Sequence, residues 1–267
     1  MKDDLGRDVA LPPQRPGRIV SLCPSITETL YALCGSGAIV GRTRYCIHPA
    51  GEVQGAAVVG GTKQVDFDRI KELRPDLIIA EKEENPKEMV EQLAQDYPVY
   101  VFDVNDYGEA LRMIRALGAI CGREREALSL ARHIEAAFGE LRRRPEGNPH
   151  PRVAYLIWRK PYMAAGSRTF IHSMLEKCGF VNIFAHSPDR YPEVDVEELI
   201  QAKPDFILLS SEPFPFSEEH VREAAQQIPD AVPLLVDGEM FSWYGARMAK
   251  APDYFHRLIH AMGSRPM

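Results

Sequence analysis

The stretch Arg42-Thr43-Arg44-Tyr45-Cys46-Ile47-His48-Pro49 sets a thiol and an imidazole two residues apart. On an extended segment Cys46 and His48 point the same way, and both groups suit soft or borderline metals. Two ligands do not complete a site, so Glu83, Glu212 or Glu239 would have to join them from elsewhere. A buried thiol beside a hydrogen-bonded histidine is the other reading. The carboxylates offer a second chemistry. Glu83 with Glu84, or Glu212 with Glu239, would serve as acid and base if the fold paired them. No GxSxG elbow, P-loop or HExxH is present, and Gly35-Ser36-Gly37 reads as a helix end rather than a nucleotide loop. The expectation is binding without catalysis, with an enzyme built on cleft carboxylates as the alternative.

The third chemistry is flat apolar contact. Aromatic and charged residues crowd into segments that follow predicted strands: Cys23-Pro24-Ser25-Ile26-Thr27, Glu81-Lys82-Glu83-Glu84-Asn85, Trp158-Arg159-Lys160-Pro161-Tyr162-Met163, Ser210 to Phe216, and Asp237 to Gly245. Open parallel sheets bind ligands beyond the carboxyl ends of their strands. These five loops hold both tryptophans of the chain, and aromatic walls with a few placed polar groups are the usual make-up of a small-molecule site. Tyr162, Trp243 and Tyr244, with Phe214 beside them, would supply the flat contact. Lys82, Arg159, Arg190 and Glu239 would pair with ligand amides or carboxylates, with Glu83 and Glu212 in the same loops.

Strands and helices alternate to position these loops. Arg18–Leu22 is a β-rich run, and Pro24 with nearby hydroxyls opens a helix to Leu33, stopped by Gly35. Residues 4–13 read as a short strand pair ending at proline. Val58–Gly61 is a strand and turn, Asp66 caps a helix over Phe67–Leu73, and Leu77–Ala80 is a buried strand. A helix near Pro86–Gln95 and a strand at Val99–Phe102 follow. Such alternation argues for parallel sheet. The second half replays the order. Val65-Asp66-Phe67 through Pro75-Asp76-Leu77-Ile78 aligns with Val194-Asp195-Val196 through Pro204-Asp205-Phe206-Ile207, 129 residues on. Arg18-Ile19-Val20 pairs likewise with Arg152-Val153-Ala154, and Val101-Phe102-Asp103 with Leu235-Val236-Asp237. The expectation is an α/β chain of two homologous lobes with parallel sheets, residues 1–122 and 150–267. They are joined over 123–149 by a helix from Arg123 to Arg144, apolar at Leu128, Ala131, Ile134, Ala137, Phe138 and Leu141, and then a Pro-Gly break at 145–149. That helix would exceed about 30 Å.

Composition narrows the class. The chain has 267 residues, a formal net charge of −6 and 26% charged residues, so nothing points to nucleic acid or an anionic membrane surface. The one basic cluster, Arg142-Arg143-Arg144, reads as the charged end of a helix. Five widely spaced cysteines show neither CxxC nor zinc-ribbon spacing, so they read as reduced thiols. No segment approaches the ~20 apolar residues of a membrane span. No charged start leads into an apolar run, so the chain reads as cytoplasmic as it stands, and as periplasmic or cell-surface if a leader was trimmed.

The runs Arg18–Glu28, Val40-Gly41, Leu73–Ile78 and Cys178–Phe184, with Leu5-Gly6-Arg7 and a following proline, resemble the helical-backbone class of substrate-binding proteins of ABC importers. The resemblance covers nearly the whole chain and is strongest to the cobalamin-binding branch. It implies two Rossmann-like lobes bridged by a long helix, with the ligand in a cleft between them. It also implies a monomer, no required cofactor, cobalamin or another metal chelate as ligand, and an ABC permease as partner. A cytoplasmic metal- or corrinoid-handling protein is the alternative. Position by position, Tyr45, Tyr162, Tyr191 and Glu239 match ligand contacts of that branch, while Thr62 and Glu81 stand where it uses tryptophans. Asp68 and Glu197 match the carboxylates that dock each lobe on the permease. The internal repeat makes them equivalent, and both also suit the first turn of a helix.

Overall fold

The helix over Phe67–Leu73 and its counterpart over Val196–Ala202 show how the sequence repeat becomes structure. The Asp66 carboxylate accepts the Arg69 N–H at 2.9 Å, and Asp195 accepts that of Glu198 at 2.8 Å while the Glu198 carboxylate reaches back to the Asp195 N–H. Each helix buries one aliphatic side chain completely, Ile70 or Leu199. Each ends at a left-handed residue, Arg74 or Lys203, followed by Pro-Asp. The aspartate then anchors the incoming strand of its own unit. Asp76 accepts the N–H groups of Gly17 and Arg18, and Asp205 accepts that of Arg152. Arg18 and Arg152 send their guanidinium groups to the last carbonyls of the two helices. The matched Pro-Asp and Arg-hydrophobic motifs are therefore two halves of one clamp, made twice.

In the computed structural model, which describes residues 1–141 and 150–263, contacts divide the chain into two units. The first comprises residues 1–104, 108–133 and 244–247, and the second comprises 105–107, 134–243 and the chain from Met248 on. The first half contains β1 (Ile19–Ser21), α1 (Pro24–Cys34), β2 (Ile39–Arg42), β3 (Ala57–Val58), α2 (Phe67–Leu73), β4 (Leu77–Glu81), α3 (Lys87–Leu93), β5 (Val99–Phe102), α4 (Tyr107–Cys121) and α5 (Glu124–Leu141). Its sheet runs β3-β2-β1-β4-β5, parallel throughout. The β4 and β5 side chains are buried on both faces, which is why those segments read as unbroken apolar runs. The expected strand pair near the N-terminus reduces to a single antiparallel bridge between Lys2 and Asp8.

The second half contains β6 (Arg152–Trp158), β7 (Tyr162–Ala164), α6 (Phe170–Lys177), β8 (Val181–Asn182), β9 (Glu193–Val194), α7 (Val196–Ala202), β10 (Phe206–Ser210), α8 (Glu218–Gln227), β11 (Val232–Val236), α9 (Gly238–Ser242) and α10 (Ala251–Gly263). Its sheet follows β11-β10-β6-β7-β9, with β8 alongside the start of β6. Here the sheet departs from the expected pattern. β6 pairs in parallel with β10, but β7 turns back against it and pairs antiparallel with both β6 and β9. The turn at Lys160-Pro161 is too short for the crossover that a parallel neighbour requires.

The helix α5 gives its residues up to His133 to the first unit and those from Ile134 to the second. Its 18 described residues span about 27 Å. Ala131, Ile134, Phe138 and Leu141 are buried as expected, but Leu128 is exposed and Ala127 takes the inward position against Gly118. The basic cluster at 142–144 and the break at 145–149 lie outside the described residues. No helix among the described residues is long and apolar enough to cross a membrane.

Candidate functional site

In the first unit the site is assembled from the chain that leaves β1, β2 and β4. β4 ends at Glu81, whose side chain turns inward and is 3% exposed. One carboxylate oxygen accepts the N–H groups of Glu83 at 2.7 Å and Glu84 at 2.9 Å, so the loop folds around it. Asn85 completes the turn. It accepts the Glu81 N–H and donates to the carbonyls of Leu22 and Thr62, joining the loops after β1, β3 and β4. Gly60, with φ of +122°, lets the chain turn there, because a Cβ would lie 2.6 Å from the Gln64 carbonyl oxygen. Burial pushes the Glu81 carboxyl up to about 7, against the lowering effect of its two N–H donors. The neighbouring Glu84 is also raised by burial, although Lys63 and the Thr62 hydroxyl hold it back. Cys23 and Tyr244 meet beside these acids, Sγ to hydroxyl at 3.2 Å, and burial raises both well above their ordinary ranges. A carboxyl poised near neutrality in a loop cluster marks a functional-site candidate.

Tyr45 lies at the rim of this group. Tyr45 is 55% exposed, with the Arg44 guanidinium carbon 6.0 Å from its ring centre and Gly61 alongside. Cys46, next in sequence, points the other way. It is fully buried, and its sulfur lies 3.1 Å from the hydroxyls of both Thr27 and Thr43. His48 is half-buried. Among the described residues no group of three or more His, Cys, Asp and Glu side chains is arranged to hold a metal ion. Lys82 is tied to Asp103 at 2.6 Å, and the Glu83 carbonyl receives the Lys63 ammonium at 2.7 Å.

In the second unit the site is built around Glu212, in the loop after β10. Its Oε1 accepts the Ser242 hydroxyl at 2.5 Å and the Trp243 indole N–H at 2.9 Å, and burial raises its carboxyl. Ser210 donates to the Glu212 carbonyl and receives the Tyr155 hydroxyl, while Ser211 caps the Gly238 N–H at the start of α9. Trp243 and Tyr244 are thus buried and hydrogen-bonded. Glu239 is half-buried in the first turn of α9, its N–H donated to Asp237. Phe214 packs edge-on against Trp158, Phe216 and His220, which leaves the Trp158 indole 41% exposed. Arg159 is bound through one nitrogen to both carboxylate oxygens of Glu223, with Tyr162 beside it. The Arg190 guanidinium carbon lies 5.8 Å from the Tyr191 ring centre, on a loop fastened where the Gly166 N–H meets the Arg190 carbonyl.

The structure brings Tyr45, Lys82 and Glu83 to one end of the first sheet. It brings Trp158, Arg159, Tyr162, Glu212, Phe214 and Glu239 to the strand-end loops of the second. Glu81, Glu84, Thr62, Asn85 and Cys23 form the polar floor of the first group; the sequence reading placed Cys23 and Glu81 to Asn85 in the strand-end loops and Glu84 among the acid–base candidates, but did not foresee that they gather in one cluster. Asn85, four residues after an acid at a strand end, was the available signal. Asp68 and Glu197 both stand exposed at the second position of their helices, in equivalent places of the two repeats.

Two α/β units with polar and aromatic loops at the carboxyl ends of their strands define a binding protein for a small molecule. Residues 19–232 match the family described as periplasmic binding protein, and the chain belongs to that family. A curated relative, the vitamin B12-binding protein of Pectobacterium carotovorum, is 27% identical over 88% of this chain and 86% of its own length. The solved structure of the periplasmic vitamin B12 binding protein of Vibrio cholerae matches with a TM-score of 0.78, covering 95% of this chain and all of that one at 23% identity. A periplasmic heme-binding protein of a Roseiflexus species gives 0.78 at 22% identity, over 92% and 98% of the two chains. The molybdate-binding protein of Haemophilus influenzae gives 0.77 at 17%, over 98% and 91%. These structures share the fold.

Proposed function

We propose that this protein reversibly binds a corrinoid or related metal chelate, without catalysis, as the substrate-binding component of an ABC importer. The observation that carries this reading is the open ring of Tyr45. It sits more than half exposed at a strand end, beside Arg44 and Gly61, at the position the resemblance matches to a ligand-contacting tyrosine. An aromatic side chain held open in this way has its apolar face available for a flat ligand. Trp158, propped by Phe214, offers a second such face, and Tyr162, Tyr191 and Arg190 stand in neighbouring loops. The polar floor of Glu81, Glu84 and Thr62 suits a ligand that carries amide or hydroxyl groups at its edge. The relatives named for vitamin B12 support the corrinoid class, and the family's periplasmic description supports work outside the cytoplasmic membrane rather than in the cytoplasm. The protein acts as a monomer, with Asp68 and Glu197 meeting cationic residues of a permease.

The test is a difference absorption titration of the purified chain with cobalamin, cobinamide and haem, paired with thermal melting. A saturable shift with a corrinoid at one ligand per chain is expected. Stability should rise by about 2.7 kcal/mol at a hundredfold excess over the dissociation constant. A shift with haem alone would reassign the ligand, and no shift with any of the three would overturn the corrinoid reading.

A further inference from the structure

The strand β6 ends on Trp158, and the next residue is Arg159. Both side chains are held from one helix, α8. The Trp158 indole stands edge-on to Phe214, ring centres 5.7 Å apart at 70°. Phe214 meets Phe216 at 4.8 Å and the His220 imidazole at 5.3 Å, and the imidazole closes the triangle 5.4 Å from Phe216, every pair edge-on. Phe216 is buried in the core of the second unit, so the triangle has a fixed base. The Phe214 N–H bonds the Ile157 carbonyl at 3.3 Å, which keeps this loop on the strand end that carries Trp158. His220, third residue of α8, is itself fixed, because its Nδ1 accepts the Ser217 N–H at 2.9 Å. One turn further along the same face, both carboxylate oxygens of Glu223 take the terminal nitrogen of Arg159, at 2.6 and 2.5 Å.

We propose that His220 and Glu223 are positioning residues of the ligand site: His220, through Phe214, sets the Trp158 ring, and Glu223, through Arg159, sets the chain beside it. That Trp158 meets a ligand rests on the function proposed above; the grip on it does not. Trp158 is 41% exposed, so its own burial does not fix its rotamer. An edge-on neighbour does, by removing the rotamers that would swing the indole across Phe214. A ring without that support samples several orientations, and a ligand must then restore the productive one at the moment of binding, at a cost in affinity. Arg159, with its terminal nitrogen on Glu223, acts as a strut between the strand end and α8 rather than as a partner for a ligand carboxylate. Two side chains three positions apart on one helix thus hold two consecutive residues of one loop, and neither needs to touch the ligand.

The experiment separates the ring of His220 from its capping nitrogen. His220→Gln keeps an acceptor for the Ser217 N–H and removes the ring, whereas His220→Phe keeps a ring and removes the acceptor. The full-length wild type and both variants are titrated with cobalamin by difference absorption, melted, and, without ligand, quenched with acrylamide. Quenching reports on Trp158, since Trp243 is only 8% exposed. H220Q is expected to bind about fivefold or more weakly, with its tryptophan emission more open to quenching. H220F is expected to match wild type in both readouts while melting about 2–4 °C lower through loss of the cap. Glu223→Ala and Arg159→Ala should each weaken binding, and the double variant should weaken it no further than either alone. H220Q with the affinity and quenching of wild type would overturn the role of His220, as would H220F falling as far as H220Q. Additive losses in the double variant would overturn that of Glu223. Should wild type take up neither cobalamin, cobinamide nor haem, the ligand reading fails, and quenching of the free protein decides whether α8 holds Trp158.

Discussion

Glu81→Gln is the most informative single perturbation. The native carboxyl titrates near 7, against 4.5 for an ordinary glutamate, because burial disfavours its charge. The native state therefore binds the proton more tightly than the unfolded chain. The stability this contributes is full below about pH 4.5, declines as pH rises through the interval, and is gone above about 7. A shift from 4.5 to about 7 is worth about 3 kcal/mol in total, of which about 2.5 kcal/mol falls between pH 5 and pH 8. Glutamine keeps an oxygen for the N–H groups of Glu83 and Glu84 and carries no titrating proton. Urea unfolding of wild type and E81Q at the two pH values measures the difference directly. Glu212, far along the chain, is also raised by burial and inclines both proteins the same way, so it cancels in the comparison, whereas Glu84, whose charge acts on Glu81, cancels only in part. Wild type should lose about 2.5 kcal/mol more than E81Q across this range. Equal pH dependence in the two proteins would refute the argument and return Glu81 to the rank of an ordinary hydrogen-bonded acid.

Three other outcomes are expected. Gly245→Ala places a Cβ 2.0 Å from the Thr29 hydroxyl at a φ of +79°, so it should cost about 3 kcal/mol or more in chemical denaturation, whereas Gly37→Ala, which meets nothing, should be near neutral. Tyr45→Ala should weaken corrinoid binding about tenfold or more by titration, while an exposed ring so little packed should leave the melting temperature within about 2 °C. Asp68→Ala combined with Glu197→Ala should leave ligand affinity unchanged, lower stability by about 1 kcal/mol through loss of helix-terminal charge, and abolish uptake in a reconstituted transporter. Uptake that survives this double change would remove the docking role.

The sequence was most readable where short-range physics sets the structure. Asp66 and Asp195 announce their helices because an N-cap acts within three residues, and the paired Pro-Asp motifs exposed the repeat before any contact was known. The all-apolar runs at 77–80 and 99–102 could only be buried strands. What stayed hidden depends on distant partners. β8 and β9 are two-residue strands that exist because β6 and β7 offer them edges, and no local pattern encodes that. Leu128 and Ala127 exchanged places because Gly118 of the preceding helix admits only a small side chain at the contact. The indole N–H of Trp243, a residue expected in the ligand site, meets Glu212 thirty-one positions away, a partner that no local pattern announces.

The four residues Tyr244–Arg247 belong to the first unit although the chain reaches them only after building almost all of the second. They bring the Arg247 guanidinium to the buried Glu28 carboxylate at 2.9 Å, and the Ala246 N–H to Thr29. Leaving a buried carboxylate without its cation costs roughly 3–5 kcal/mol. During synthesis at about 5–20 residues per second, the N-terminal unit gains this ion pair only when nearly the whole given sequence has been made. A fragment ending at α5 would retain the entire first sheet and still lack the guanidinium that meets Glu28 in the whole chain.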